Sequence, residues 1–355
     1  MPWSWEALWE WNAGKKPAQL RVQGPRPCAR LCACAECNRS ARFIGCGQRN
    51  CACALLPRVP VWWVLPSSLR SIRDSPSSHP GPPCVLELGM FPELNNLLNT
   101  TPEGAEQGKL TLLCDAKTDG SFLVHHFLSF YLKANCKVCL VALFQSFSHY
   151  NIVGQKLGVS LTAARERGQL VVLEGLKSGV DVFFRPREEP HPLQFLREAN
   201  AGDLQPLYAF VRDALQPVDS GEAAWRCPVL LVDDLSVLLS LGVGPVAVLD
   251  FVHYCRATVC QEWKGNVVCL VHDSGDTEDE ESDVLLNGLS HQSHLILRAE
   301  GLATGFCKDV HGQLRILWRR PLQPTTHRDR SLTYQYKIQD KSVSFFAKGM
   351  SPAVL

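Results

Sequence analysis

No stretch of eighteen apolar residues occurs in the 355-residue chain, so no segment is long enough to be read as a membrane-spanning helix. The opening Met1-Pro-Trp-Ser-Trp5 has no basic residues leading into an apolar run, which argues against a secretory signal. In the cysteine-rich stretch from Cys28 to Cys53 there is only one Cys-x-x-Cys pair, Cys34/Cys37, and no second pair at a finger-like distance. A structural zinc site needs four ligands in such a spacing, so zinc is not expected. The acidic run Asp273–Asp283 has no glycine at its sixth position and no glutamate at its twelfth, which excludes an EF-hand calcium loop. That run reads instead as a solvated, mobile loop.

The net charge of +1 hides three unlike regions. Residues 1–89 hold eleven Lys/Arg against five Asp/Glu, residues 90–297 fifteen against twenty-six, and residues 298–355 ten against four. An acidic body thus carries a basic C-terminal end. Residues 1–89 also hold eleven of the 23 prolines, six of the nine tryptophans and eight of the sixteen cysteines, without sustained periodicity. Such a composition predicts a disordered extension, closed by the linker Ser75–Pro83. The other eight cysteines are scattered, several inside apolar runs. They read as buried free thiols of a reducing compartment, cytosolic with a nuclear share.

From Met90 apolar runs alternate with longer amphipathic segments, as β-α units feeding a mainly parallel sheet do. Strands are expected at Lys109–Cys114, Lys137–Leu143, Gln169–Glu174, Pro228–Asp233 and Asn266–Val271. Helices are expected at Phe122–Lys133, Pro192–Leu215 with a break near Gly202, and Pro245–Val259. After His294 the candidates Leu295–Arg298, Leu314–Trp318, Tyr334–Ile338 and Val343–Ala347 are joined by short turns, which predicts an antiparallel extension of the sheet. The expectation is an α/β domain over 90–355, laid out like a P-loop NTPase.

The first strand leads into Asp115-Ala-Lys-Thr-Asp-Gly-Ser-Phe122 and then a helix, the place of a phosphate-binding loop. That loop needs glycines so that N–H groups can wrap phosphates, a lysine for the β/γ-phosphates and a hydroxyl for Mg²⁺. Here Asp115 replaces the first glycine and Gly120 keeps the second. Ser121 stands where the lysine belongs and Phe122 where the hydroxyl belongs, while Lys117 falls four residues early. No nucleotide cofactor is expected. Val229-Leu-Leu-Val-Asp-Asp234 has the apolar-run-then-acid form of a Walker B strand, but without the hydroxyl its Asp233 has no partner for a metal. Asp233 is therefore read as a cap on the turn Asp234-Leu-Ser236. His125 and His126 have no nucleophile placed with them in a recognised arrangement and read as solvent-facing or core residues. Arg315, Arg319, Arg320, Arg328 and Arg330, with His327 and Trp318 among them, form a basic cluster that either contacts phosphates or blunts a sheet edge.

Several phrases resemble the family of sixth subunits of the Elongator complex: Met90-Phe-Pro-Glu-Leu-Asn-Asn-Leu-Leu98, the loop Cys114–Phe122, Gln145-Ser-Phe-Ser-His-Tyr150, Val229–Leu239 and Val343-Ser-Phe-Phe-Ala-Lys-Gly349. The resemblance covers essentially all of 90–355 and none of 1–89. It implies a RecA-like fold without functional Walker motifs and assembly with the fourth and fifth Elongator subunits into a hetero-hexameric ring. It also implies tRNA binding in support of wobble-uridine modification, with the chemistry in another, catalytic subunit. The alternatives are an active RecA-type ATPase or recombination paralogue that uses Lys117, and an interface adaptor with no RNA role.

Overall fold

The computed structural model describes residues 91–184, 191–197, 202–217, 225–273, 279–305, 307–319 and 329–350. The expectations for residues 1–89, and for Arg320, His327 and Arg328, lie outside the described residues.

Nine strands form one sheet in the order β3-β2-β4-β5-β1-β6-β7-β8-β9. Strands β1 (Leu110–Ala116), β2 (Lys137–Ala142), β3 (Leu170–Glu174), β4 (Pro228–Val232), β5 (Asn266–Asp273) and β6 (Leu295–Glu300) run parallel. Strands β7 (Gly312–Trp318), β8 (Arg330–Ile338) and β9 (Val343–Ala347) extend the sheet in antiparallel fashion. The central strands are unbroken apolar runs because helices cover both faces. Leu112 and Leu113 point to opposite faces, and both are fully buried. Truncating either to alanine is expected to cost about 2–5 kcal/mol.

Helix α1 (Pro92–Leu98) precedes the sheet. One face is covered by α2 (Ser121–Lys133), α3 (Phe147–Lys156) and α4 (Leu161–Glu166), which pack Phe122, Phe127, Tyr150 and Leu161 into a single core. The other face carries α6 (Gln205–Leu215), α8 (Pro245–Cys255) and α9 (Glu280–Gln292), whose Leu207, Phe251 and Leu285 build a second core. Between these fall α5 (Gly175–Phe184) after β3 and α7 (Ser236–Ser240) after β4. This is a three-layer α/β arrangement in which one strand, β5, separates β1 from the acid-tipped β4.

Crossovers leaving β1 and β2 run towards the β3 edge, whereas those leaving β4 and β5 run back the other way. At β1/β5 and at β2/β4 the two neighbouring strands are followed by helices on opposite faces, so a crevice opens at the carboxyl ends of each pair, where open α/β sheets bind ligands.

Four expectations need correction. Leu295–Glu300 is parallel to β1 and only its other edge is antiparallel, to β7: the crossover through α9 returns the chain to the same direction before the hairpins begin. The segment expected as a helix over Pro192–Leu215 with a break near Gly202 does have the break, but its first half is a 3₁₀ turn, Gln194–Arg197, and only Gln205–Leu215 is α-helical, with a proline in its first turn. The helix expected to end at Val259 continues past Cys255 as a π-helical segment, Arg256–Glu262. The acidic run read as a loop ends in a helix start. The Asp279 carboxylate accepts from the Ser282 N–H at 3.1 Å, and Glu280, Glu281 and Asp283 fill the first turn of α9, where negative charge meets the positive end of the helix.

Candidate functional site

The loop between β1 and α2 is fastened by three contacts, two of them to Tyr336 on β8. Gly301, just beyond β6, donates its N–H to the Ala116 carbonyl at 2.9 Å. The Thr118 and Tyr336 hydroxyls lie 3.1 Å apart, and the Phe122 ring packs 5.0 Å from the Tyr336 ring. The antiparallel extension thus grips the loop from outside the parallel core. Lys117 takes a left-handed conformation, φ 56°, which permits the tight turn. Phe122, at the hydroxyl position, is 2% exposed and belongs to the core.

The start of α2 already holds an anion from its own chain. Asp115 Oδ2 accepts from the Gly120 N–H at 2.8 Å, and Asp119 Oδ1 accepts from the Ser121 N–H at 2.8 Å. Those N–H groups are free donors at a bare helix N-terminus, the feature that phosphates exploit. A Cβ on Gly120 would come within 2.7 Å of the Asp115 Cβ, so glycine at 120 lets the carboxylate close on the loop. The second oxygen of Asp115 pairs with His272 Nδ1 at 2.7 Å. His272 sits at the carboxyl end of β5, next to β1 across the crevice. Its hydrogen bond to Asp115 raises its pKa from the usual value to about 9, so the imidazole is protonated at neutral pH.

At the second crevice Asp233 does not cap the turn that follows it, as the sequence suggested. Its carboxylate reaches across to the end of β2, accepting from the N–H groups of Leu143 at 2.7 Å, Phe144 at 3.2 Å and Gln145 at 3.1 Å, and from the Tyr150 hydroxyl at 3.0 Å. Asp234 holds the local turn instead, through the Ser236 N–H at 2.8 Å. Burial pushes Asp234 up to about 7 and raises Asp119 as well. The two crevices share a cavity of about 240 Å³ lined by Asp115, Lys117, Asp119, Tyr150, Asp234 and His272, among others. It is smaller than the roughly 300–1,000 Å³ typical of small-molecule sites, and its carboxylates outnumber its cations. Among the described residues no group of three His, Cys, Asp or Glu is placed to hold a metal ion.

The sequence brought Asp115, Lys117, Gly120, Ser121, Phe122 and Asp233 to one region, and the fold does place Asp115, Lys117, Ser121 and Asp233 around this one cavity. Asp119 and Asp234 come with the same two motifs, whereas nothing in the sequence pointed to Tyr150 or His272, whose proximity depends on strand order. The basic cluster is divided. Arg315 is exposed on the face of β7 opposite to the buried Leu314 and Ile316, whereas Arg330 stacks over Trp318 at 4.9 Å on the other face. Arg319 is held by Asp329 at 3.5 Å and by the Ser290 carbonyl. His125 and His126 are both buried.

The residue pattern of the Elongation complex protein 6 family matches residues 91–340. The chain belongs to that family. The human Elongator complex protein 6 is 85% identical over 266 residues, spanning 75% of this chain and all of that protein. The Xenopus laevis protein of the same name is 61% identical over 269 residues and the Danio rerio one 51% over 272, with the same coverage of both chains. An uncharacterized Pyrococcus horikoshii protein, solved in complex with an unknown peptide, aligns with 73% of this chain and 98% of its own at 12% identity, TM-score 0.45. The Elongation complex protein 6 match begins at residue 91, where the β-α pattern starts, and takes in both crevices and the antiparallel extension through β8.

Proposed function

We propose that this chain is a non-catalytic subunit of Elongator that uses a RecA-like body as a building block. In this reading it joins the fourth and fifth Elongator subunits in a hetero-hexameric ring, and the ring presents tRNA to the catalytic subunits that modify the wobble uridine. The observation that carries the reading is the Asp115 carboxylate on the Gly120 N–H. An acid fixed where a terminal phosphate would lie repels it and uses up its donor, and neither Ser121 nor Phe122 restores the missing lysine or Mg²⁺ oxygen. The loop shape is kept and the nucleotide chemistry is gone, which leaves a pseudo-ATPase with no cofactor.

Assembly needs apolar surface, and α5 has it. Leu176, Val180, Phe183 and Phe184 recur at helical spacing and are 57–85% exposed, a stripe of the kind that marks protein contact sites on soluble proteins. For tRNA, Arg315 on one face of the extension and Arg330 on the other offer cations in addition to the ion-paired Arg319, with Arg320 and Arg328 as further candidates by sequence. Phosphate contacts make affinity salt-sensitive, with log K falling by roughly 0.7–0.9 per contact for each decade of salt. The cytosol, with a nuclear share, is the compartment this role implies.

The test is co-expression with the fourth and fifth subunits, native mass measurement, and tRNA binding by the isolated assembly at rising salt. A discrete hexamer whose tRNA affinity falls with salt is expected. Lys117 does line the cavity, so the active-ATPase reading has one observation in its favour. ATP turnover by the purified chain that disappears in Lys117→Ala would overturn the non-catalytic reading.

A further inference from the structure

Cys136 and Cys227 stand side by side where β2 and β4 begin. Lys137 opposite Pro228 is the first register step of these parallel strands, and the Lys137 N–H donates to the Cys227 carbonyl at 3.0 Å. The two cysteines are therefore lateral neighbours one residue before the ladder. Their sulfurs are 3.3 Å apart. Adjacent strands lie about 4.7–4.9 Å apart, inside the Cα separation of roughly 4.4–6.8 Å that a disulfide bridges. The sulfurs have about 1.3 Å left to close to a disulfide of about 2.0 Å.

The chemical setting differs from that of the other core thiols. Burial pushes Cys114, Cys139 and Cys260 up to about 12 and raises Cys255 well above its usual value, which keeps them protonated and unreactive. Cys227 moves the other way, lowered by its hydrogen bond with the Cys136 thiol against the effect of burial and helped by the Arg226 guanidinium, while the same bond drives Cys136 up. Cys227 is 5% exposed and directly follows the exposed Arg226, so it lies just under the surface, while Cys136 is fully buried behind it. A nucleophilic sulfur near solvent with a resolving thiol in contact is the arrangement that a thiol oxidation site requires.

We infer that Cys136 and Cys227 form a reversible redox modification site, oxidised to a disulfide by a small peroxide. The Cys227 thiolate attacks one peroxide oxygen, the O–O bond breaks, and the departing hydroxide takes a proton as water, leaving a sulfenic acid. The Cys136 sulfur, losing its proton, then attacks the Cys227 sulfur, and the S–O bond breaks with release of the second water. Two thiols and one hydrogen peroxide give one disulfide and two waters. The bond ties together the starts of the two strands whose far ends carry the Asp233 crevice, and it closes a long loop of the unfolded chain.

The experiment treats the purified full-length chain with limiting hydrogen peroxide, alkylates the remaining thiols after unfolding, and maps the peptides. The expected product is a Cys136–Cys227 linked pair two hydrogens lighter, reversed by dithiothreitol, with a thermal midpoint that rises on oxidation and returns on reduction. Cys114, Cys139 and Cys255 stay fully alkylatable. In Cys136→Ser the Cys227 sulfenic acid has no resolving partner and is trapped by dimedone, whereas Cys227→Ser leaves Cys136 unlabelled. The inference is overturned if Cys136 and Cys227 both remain free while other core thiols oxidise, or if either links to a different cysteine. The wild-type map decides this even where a variant fails to fold.

Discussion

Replacing Asp115 by asparagine tests the self-occupied loop directly. The amide keeps the size and one acceptor oxygen, so the Gly120 N–H retains a partner, but the charge facing His272 is lost. In the wild type the His272 pKa is raised to about 9 from about 6.5 in the unfolded chain. A raised pKa means that the folded state holds the proton more tightly. The stabilisation is therefore fully present below pH ~6.5 and is lost as pH rises through ~9. Taken at face value the shift corresponds to about 3 kcal/mol, but the His272 side chain is half exposed, and solvent screening reduces this to about 1–2 kcal/mol. Urea unfolding of the wild type at fixed ionic strength should thus show stability falling by about that amount between pH 6.5 and 9.5, on top of any slope from other groups. In Asp115→Asn that component disappears, and the His272 resonance in an NMR titration moves from near 9 to below 7. A His272 that still titrates near 9 in the variant would mean that Asp115 is not what holds it, and the account of the loop would fail with it.

Three further outcomes follow from the same geometry. Tyr150→Phe removes the hydroxyl donor to the buried Asp233 carboxylate and should lower unfolding free energy by about 1–3 kcal/mol in urea, while Asp233→Ala, which orphans three backbone N–H groups as well, should cost more. His126 is fully buried with neither ring nitrogen hydrogen-bonded and stacks 5.7 Å from the Phe91 ring, so His126→Phe should raise the thermal midpoint; a lower midpoint would show that the imidazole has a partner worth keeping. Burial also lowers the His126 pKa to about 3, so its neutral-state contribution is complete above pH ~6.5 and drains away as pH falls towards 3, and His126→Phe should unfold at lower pH than the wild type. Phe184→Asp, on the exposed stripe of α5, should leave the melting of the isolated chain within about 0.5 kcal/mol yet reduce recovery of the co-expressed assembly; an unchanged hexamer would remove α5 from the interface.

Along the chain, local pattern alone specified the elements with strong periodicity. The strands at 110–116, 137–142, 170–174, 228–232 and 266–273 lie within a residue or two of the apolar runs that announced them, because a strand buried on both faces has no alternative to a continuous apolar sequence. Ser121 and Phe122 at the lysine and hydroxyl positions of the loop were legible in the same way, since they stand at fixed places of a local motif. The short helices at Phe147–Lys156, Leu161–Glu166 and Gly175–Phe184 were not legible. They are a few turns long and depend on packing and on the Ser146 and Ser160 caps more than on propensity.

Only the tertiary structure decided which strands are neighbours, and with that the site. Asp115 and His272 are 157 residues apart in sequence and meet because β5, rather than the next strand in the chain, lies beside β1. Asp233 holds the end of β2 rather than its own turn for the same reason. Side-chain alternation split the arginines of the C-terminal strands between two faces, which a linear cluster cannot reveal. Composition and period set what each segment becomes. Contacts between distant segments are set by the order in which crossovers return to the sheet, and that order depends on how whole faces pack together.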